Sequence, residues 1–101
     1  MPVDDHNEQF YLVDKRDRPI GKIPRSKAHS SPQYIHRSIC ILVLNNKSQL
    51  LLQKRSKSKD TYPSFWTLSV TGHVTYRQTY LQAAKRELFE ELELKVPLKR
   101  L

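Results

Sequence analysis

Cysteine, long apolar runs and repeats are scarce or missing in this sequence. Cys40 is the single cysteine among 101 residues, so an internal disulfide is excluded and a reducing compartment such as the cytoplasm is favoured. No apolar run approaches the roughly 18 residues that suggest a membrane helix, and no basic segment followed by an apolar one opens the chain as a secretion signal would. Without repeats or low-complexity segments, the sequence predicts one globular domain with a modest core.

Acidic residues are outnumbered by basic ones. Ten Asp and Glu stand against eighteen Lys and Arg, which gives a formal net charge of +8 and a pI near 9.8. Such a balance favours anionic partners, among them nucleotides, diphosphates, nucleic acid and acidic lipid. The basic residues are scattered along the chain and form no recognisable nucleic-acid-binding motif. Small phosphorylated molecules are therefore preferred to DNA or RNA as partners, and no membrane partner is expected.

Apolar segments separated by turn residues predict strands followed by one helix. After a mobile end over residues 1–8, the predicted strands cover residues 9–13, 20–23, 34–44, 49–54 and 65–70. Residues 24–35 are predicted to form a loop with one helical turn, and residues 55–63 an exposed loop. The stretch 39–44 is continuously apolar, which predicts burial on both faces of its strand and places Cys40 in the core. The folded domain is expected to span residues 9–101.

The helix is predicted to begin near Thr79. Thr79 and Gln82 have the spacing of a capping box, in which each side chain satisfies a backbone N–H of the other residue. An apolar stripe follows at helical spacing and is expected to pack on the sheet. Its members are Leu81, Ala84, Leu88 and Leu92. The other side of the helix is acidic.

Three carboxylates, Glu87, Glu90 and Glu91, occupy that acidic side within about one turn. They repel one another unless a cation neutralises them, and hard divalent ions such as Mg²⁺ take oxygen ligands while also holding substrate phosphates. The alternative is an ordinary solvated face in which Arg86 and Glu90 form a surface pair at i,i+4. From these residues alone both interpretations stay open.

The 23-residue run from Gly72 to Leu94 resembles the Nudix box, GX5EX7REUXEEXGU, in which U is aliphatic. Seven of its nine defined positions match, namely Gly72, Arg86, Glu87, Leu88, Glu90, Glu91 and Leu94. Two depart from it. Gln78 stands where the pattern has its first glutamate, and an amide carries no charge and cannot act as a base. Glu93 stands where the pattern has the glycine that ends the helix, so the helix is expected to run further, towards Pro97.

The likeness extends over roughly residues 10–95 and is greatest to the Nudix branch that includes the isopentenyl-diphosphate isomerases and their hydrolase relatives. It implies an α/β (α+β) fold, with a mixed β-sheet packed against the helix of the box. It further implies hydrolysis of a diphosphate linkage with Mg²⁺ or Mn²⁺. By this resemblance Glu87, Glu90 and Glu91 are metal ligands and catalytic residues, and Arg86 orients a glutamate by pairing with it.

Three histidines also match positions of the isomerase pattern. His29, His36 and His73 stand where the isomerases place metal-binding histidines, although each alone is more often structural or solvated. The isomerases carry a catalytic cysteine just before the Gly-His pair, where this sequence has Thr71. Because a hydroxyl lacks the acidity and nucleophilicity of a thiol, isomerase chemistry is not expected.

Basic residues supply the other half of a diphosphate site. Arg37, Lys54, Arg55 and Lys59 are the candidates for substrate binding, with Lys57 beside them. The alternative for each is a solvated residue that keeps the protein soluble. Trp66 is expected in the core, and stacking on a base or an isoprenoid tail is its second interpretation.

The chain continues for seven residues beyond Leu94, whereas the family pattern continues with further strands and a closing helix. An incomplete sheet is therefore expected. The chain is expected to be either a truncated product, cut after the Nudix box, or one that a partner, a homo-oligomer or a segment swap completes. Two functions remain open: a metal-dependent diphosphate hydrolase domain, and a catalytically impaired Nudix-derived binding or regulatory module.

Overall fold

The computed structural model describes residues 8–55, 57–58 and 64–101. Within these ranges it contains seven strands and two helices, which makes the fold α+β as predicted. Their bounds are β1 Gln9–Val13, β2 Pro19–Pro24, α1 Arg25–Ala28, β3 Ile35–His36, β4 Ser38–Ile41, β5 Leu52–Lys54, β6 Trp66–Leu68, β7 Val70–His73 and α2 Tyr80–Leu92. No helix in these ranges is long and apolar enough to cross a bilayer.

The first three strands form an antiparallel sheet in the order β2-β1-β3. Its buried cluster consists of Phe10, Ile23 and Ala28. Asp17, in the turn between β1 and β2, has a φ of 62°, a left-handed conformation that aspartate tolerates better than most residues. Most of the end predicted to be mobile lies outside the described residues. Glu8 is half-buried, and its carbonyl accepts a hydrogen bond from the Arg25 N–H at 2.7 Å.

The remaining strands pair as β4 with β7 and β5 with β6, both antiparallel. Ser69 lies at the point where the chain passes from β6 to β7, and it is fully buried. Its hydroxyl donates to the Leu51 carbonyl and accepts from the Val43 N–H, both at 2.8 Å. Val43 follows β4 and Leu51 precedes β5. The one hydroxyl therefore joins the segments next to both partner strands at this crossing.

The prediction that residues 39–44 are buried on both faces of their strand is wrong. Within that stretch Ile41 is buried, whereas Cys40, Leu42 and Leu44 are exposed. Regular strand structure ends at Ile41, and β4 has α2 packed on one face only. Trp66 is also not a core residue, since 68% of it is exposed on the outer face of β6. No layer formed by the described residues covers that face.

Helix α2 begins as predicted. Thr79 is its N-cap, and both halves of the capping box with Gln82 are present, at 3.1 and 2.9 Å. Leu88 is buried with Ile41 and Val70, and Ala84 and Leu92 pack against this cluster as expected. Leu81 departs from the predicted stripe, because it lies in the first turn outside this cluster and is 53% exposed.

The predicted extension of α2 towards Pro97 is also wrong. Glu93 takes the left-handed conformation of a C-cap, with φ 55° and ψ 31°, and its N–H donates to the Phe89 carbonyl at 2.8 Å. The helix therefore ends where the glycine of the pattern would end it, although glutamate is strained in this conformation.

Replacing Glu93 by glycine should stabilise the fold by about 1 kcal/mol, because glycine adopts the left-handed conformation without steric cost. Thermal unfolding should show a midpoint several degrees higher, roughly 4–8 °C for a domain of this size. Glu93→Ala is the matched control, since it removes the carboxylate and keeps the strain. An equal gain in both variants would trace the effect to charge instead of backbone conformation.

Candidate functional site

Glycine at position 72 is explained by the approach of α2 to β7. Gly72 lies within β7, not in a turn, and its φ is not positive. A Cβ at Gly72 would fall 2.6 Å from Cγ and 2.7 Å from Oε1 of Glu87. These distances are too short for any side chain, so the absence of a Cβ lets the glutamate lie directly on the strand backbone.

Arg86 fixes the position of this glutamate. Its Nη1 donates to Glu87 Oε1 at 2.8 Å and lies 3.6 Å from a carboxylate oxygen of Glu90. Its Nη2 donates to the His73 carbonyl at 2.9 Å and to Gln78 Oε1 at 3.1 Å. One guanidinium thus joins helix α2, strand β7 and the loop between them.

Burial raises the pKa of Glu87 to about 7; the Arg86 charge opposes this rise, and the charges of Glu90 and Glu91 add to it. Near neutral pH the carboxyl is therefore close to half-protonated. A bound cation would replace the proton and stabilise the charged form of this carboxylate.

Glu87→Gln should stabilise the metal-free protein at alkaline pH. Because the folded-state pKa of Glu87 is raised from 4.5 to about 7, the folded wild type loses stability as the pH rises through this window. The glutamine variant does not. Its advantage should grow from near zero at pH 4.5 to about 1 to 2 kcal/mol above pH 7, since solvent reaches part of the carboxylate.

Urea unfolding at pH 4.5 and pH 8 in the presence of a chelator measures this difference. Glu93→Gln removes an exposed carboxylate from the same helix end and should show no comparable pH dependence. A glutamine variant that is less stable than wild type at pH 8 would contradict the stated environment of Glu87.

The other two carboxylates are less enclosed. The Glu90 side chain is 41% exposed. Glu91 is half-buried, and its Oε2 is buried without a hydrogen-bond partner among the described residues. A buried carboxylate oxygen that lacks a donor is costly, so it fits a position where a cation or a water belongs.

The three predicted histidines do come together. His29 follows α1, while His36 and His73 end β3 and β7. Each offers one ring nitrogen, and these atoms all lie within 4.8 Å of one another. In the described part of the chain no other three His, Cys, Asp or Glu side chains form such a group, so the three carboxylates of α2 are more widely spread.

The ring of Phe10 packs against two of these imidazoles. Phe10 stacks on His73 with ring centres 4.7 Å apart and on His36 at 5.0 Å. Burial lowers the pKa of His36, with the charges of His29 and Arg25 acting in the same direction and a hydrogen bond to the backbone of Arg37 opposing them. This shift favours the neutral imidazole, which is the form that binds metals.

Arg37 is engaged elsewhere. Its Nε donates to Asp17 Oδ1 at 2.7 Å and its Nη2 to the Asp17 carbonyl at 2.9 Å. The guanidinium lies between the rings of Tyr11 and Tyr80, and the Tyr80 hydroxyl donates to Asp17 Oδ2 at 2.7 Å. These bonds join the β1–β2 turn to the start of α2, and those from Arg37 and Tyr80 lower the pKa of Asp17. Arg37 therefore has a structural position, and substrate binding by it stays a prediction.

The remaining basic candidates are distributed as follows. Lys54 is exposed on β5 opposite Trp66, and Arg55 follows it, half-buried. Lys57 is exposed, and Lys59 lies outside the described residues. Arg77 was missed from the sequence: it lines an open groove of about 660 Å³ together with Gln78, Arg86 and Glu90. No motif marks Arg77, because it lies at an unspecified position of the box.

Comparison with known proteins places these features in a family context. Residues 34–101 match the NUDIX domain. The chain is 39% identical over 94 residues to isopentenyl-diphosphate Delta-isomerase 2 of Photorhabdus laumondii, covering 93% of this chain and 52% of that protein. It is 39% identical over 88 residues to an uncharacterised Nudix hydrolase of Pseudomonas aeruginosa, covering 87% of this chain and 52% of that protein.

Among solved structures, that of DR0079 from Deinococcus radiodurans resembles this fold with a TM-score of 0.76 at 33% identity. The match covers 87% of this chain and 54% of that one. The chain thus spans about half the length of these relatives.

Proposed function

Because the chain belongs to the NUDIX domain family, we propose that it is a divalent-metal-dependent hydrolase domain that cleaves a diphosphate linkage in a small molecule. The observation that carries this proposal is the position of the Glu87 side chain. It lies directly against the backbone of Gly72 and accepts a hydrogen bond from the Arg86 guanidinium. It provides an oriented, partly desolvated carboxylate beside two others. Such a carboxylate is suited to a cation and to the proton of a water molecule.

The carboxylates fit a hard cation. Glu91 Oε2 is a buried acceptor without a donor among the described residues. Burial raises the pKa of Glu87, and the charges of Glu90 and Glu91 add to this rise, while Arg86 opposes it. Oxygen ligands of this kind suit Mg²⁺ or Mn²⁺, which Glu87, Glu90 and Glu91 would hold. When bound, the ion supplies charge neutralisation for the diphosphate and a more acidic water.

The chain's own residues supply orientation and anion binding. Arg86 holds the Glu87 carboxylate in one orientation through four contacts that also fix β7 and Gln78. Arg77 presents a cation to the groove that Gln78 and Glu90 line. Lys54 and Arg55, and Lys59 from the sequence, are proposed to complete phosphate binding. The three histidines are proposed as a second cation site, suited to a metal that prefers imidazole.

Hydrolysis is preferred to isomerisation because of Thr71. This residue lies in β7 opposite Cys40 and offers a hydroxyl where the isomerase pattern requires a thiol. An assay of phosphate release from a panel of nucleoside and isoprenoid diphosphates, with Mg²⁺ and with chelator, tests the proposal. Release that depends on Mg²⁺ supports it, and conversion of isopentenyl diphosphate to its isomer would overturn the choice.

A binding or regulatory module without catalysis is the second candidate. Gln78 favours it, because Gln78 accepts from Arg86 and from the Thr75 N–H as a glutamate would, yet brings no charge. Completion of the sheet by a homo-oligomer or a segment swap is proposed for either candidate. A ligand that raises the melting temperature without being consumed would support the module over the hydrolase.

A further inference from the structure

The three histidines have the spacing of a cation site, and two of them also take part in a hydrogen-bonded network that would compete with a cation. His29 Nε2 and His73 Nε2 lie 3.3 Å apart. Around a tetrahedral ion with metal–nitrogen bonds of about 2.0–2.1 Å, two ligand nitrogens lie roughly 3.4 Å apart. The same separation is that of a hydrogen bond, so these two atoms can share either a proton or a metal, not both.

The donors in the network determine where the protons lie. Arg25 Nη1 is 3.2 Å from His73 Nδ1, and because a guanidinium only donates, this ring nitrogen accepts. A neutral imidazole that accepts at Nδ1 carries its proton on Nε2. His73 Nε2 therefore donates to His29 Nε2. The network runs in one direction, from Arg25 to His73 to His29.

A cation bound at His73 Nε2 would reverse this direction. The ring would then carry its proton on Nδ1, and Nδ1 could no longer accept from Arg25. Arg25 cannot simply turn to solvent, because it is 5% exposed and its guanidinium lies 5.7 Å from the Phe10 ring centre. Loading the site therefore removes one acceptor of the guanidinium, and a second acceptor near the same Nη1 would offset that loss.

Glu8 is placed to be that acceptor. Its Oε1 lies 3.5 Å from the same Arg25 Nη1, and its Oε2 accepts from the Thr75 hydroxyl at 3.0 Å. The carboxylate is thus held beside the guanidinium without replacing the bond to His73. Histidine ligands in metal sites commonly donate their second N–H to a carboxylate, and Glu8 is the carboxylate that lies beside Arg25 in this network.

We propose that Arg25 is a positioning residue that competes with a divalent cation for His73, and that Glu8 accepts the displaced donors when the cation binds. This inference rests on the histidine cation site of the proposed function. Under this proposal Arg25, which no motif in the sequence marks, determines how tightly the histidine site binds a divalent cation.

Titration of the metal-free full chain with Co²⁺ tests the competition, because the visible absorption of Co²⁺ distinguishes nitrogen from oxygen ligands. Arg25→Met keeps an unbranched apolar stem and cannot donate; it should bind Co²⁺ about 10- to 100-fold more tightly than wild type. Glu8→Gln should bind roughly 10-fold more weakly. His29→Ala should abolish the nitrogen-ligand band in both wild-type and Arg25→Met backgrounds.

Nitrogen-15 NMR of the histidine rings provides a measurement on the unaltered chain. Without metal, His73 should carry its proton on Nε2, and with Co²⁺ replaced by diamagnetic Zn²⁺ the proton should move to Nδ1. If binding is abolished by His29→Ala but unchanged by Arg25→Met, the cation site stands and the competition is overturned. If no variant shows a nitrogen-ligand band, or metal-free His73 carries its proton on Nδ1, the inference fails as well.

Discussion

Glu91→Gln should lower the rate of Mg²⁺-dependent diphosphate hydrolysis by on the order of 100-fold or more. The substitution keeps the size of the side chain but removes its charge, and the buried Oε2 that lacks a donor in this structure becomes part of a weaker, neutral ligand. The free energy of unfolding should not fall, because the substitution removes a buried negative charge and leaves a neutral amide in its place. The decrease should appear in kcat and in Mg²⁺ affinity measured by calorimetry.

Glu93→Gln is the matched control for this experiment. It makes the same change of charge two residues further along, at an exposed C-cap whose carboxylate has no contact with the other three in the described structure. Its rate should stay within about twofold of wild type, as expected for a surface substitution. Equal rates in Glu91→Gln and wild type would remove Glu91 from the proposed metal site.

Gly72→Ala is expected to have the largest effect on structure. The added Cβ would meet Cγ and Oε1 of Glu87 at 2.6 and 2.7 Å, so either β7 shifts or the glutamate leaves the Arg86 guanidinium. Overpacking of this kind costs about 1–3 kcal/mol and sometimes more. Because the displaced carboxylate is the one proposed to act on substrate, activity should fall together with stability.

Gly21→Ala isolates the steric cause. Gly21 lies in β2, and a Cβ there would have nothing within 4 Å, so its stability should stay within about 0.5 kcal/mol of wild type. A double-mutant cycle is sharper still: in a Glu87→Ala background the atoms that obstruct the new Cβ are gone, and Gly72→Ala should lose most of its cost. An undiminished cost in that background would show that Glu87 is not the reason for glycine at this position.

The local features of the site followed from the sequence because they depend on short-range chemistry. The capping box at Thr79 and Gln82 requires a spacing of three residues, and the acidic side of α2 requires only helical periodicity. The histidines came together as expected, although 44 residues separate His29 from His73. That prediction came from the resemblance to a family, since no local pattern relates residues so far apart.

Tertiary features were missed where apolar composition gave the wrong signal. An unbroken apolar run predicted burial for residues 39–44, but burial depends on how many layers cover a strand, which the strand's own residues do not encode. Trp66 was missed for the same reason. Glu93 was expected to continue the helix because a residue other than glycine is strained in the left-handed conformation, yet the backbone adopts that conformation there.

Charged side chains were the hardest to assign. Arg37 was expected to bind phosphate, and its partner Asp17 lies 20 residues away in a turn with no motif. Arg25 gave no signal in a basic, serine-rich stretch, although it is the buried arginine that contacts the histidines. A guanidinium pairs equally well with substrate or protein, so its partner is determined by the fold and not by the residue type.

Anomalous diffraction from crystals of the full chain soaked with Mn²⁺ tests the central claim most directly. We expect a peak in bonding contact with carboxylate oxygens of Glu87 and Glu91, with Arg86 still paired to Glu87. A map without density on that side of α2, in which Glu87, Glu90 and Glu91 are each satisfied by arginine or lysine side chains, would contradict it.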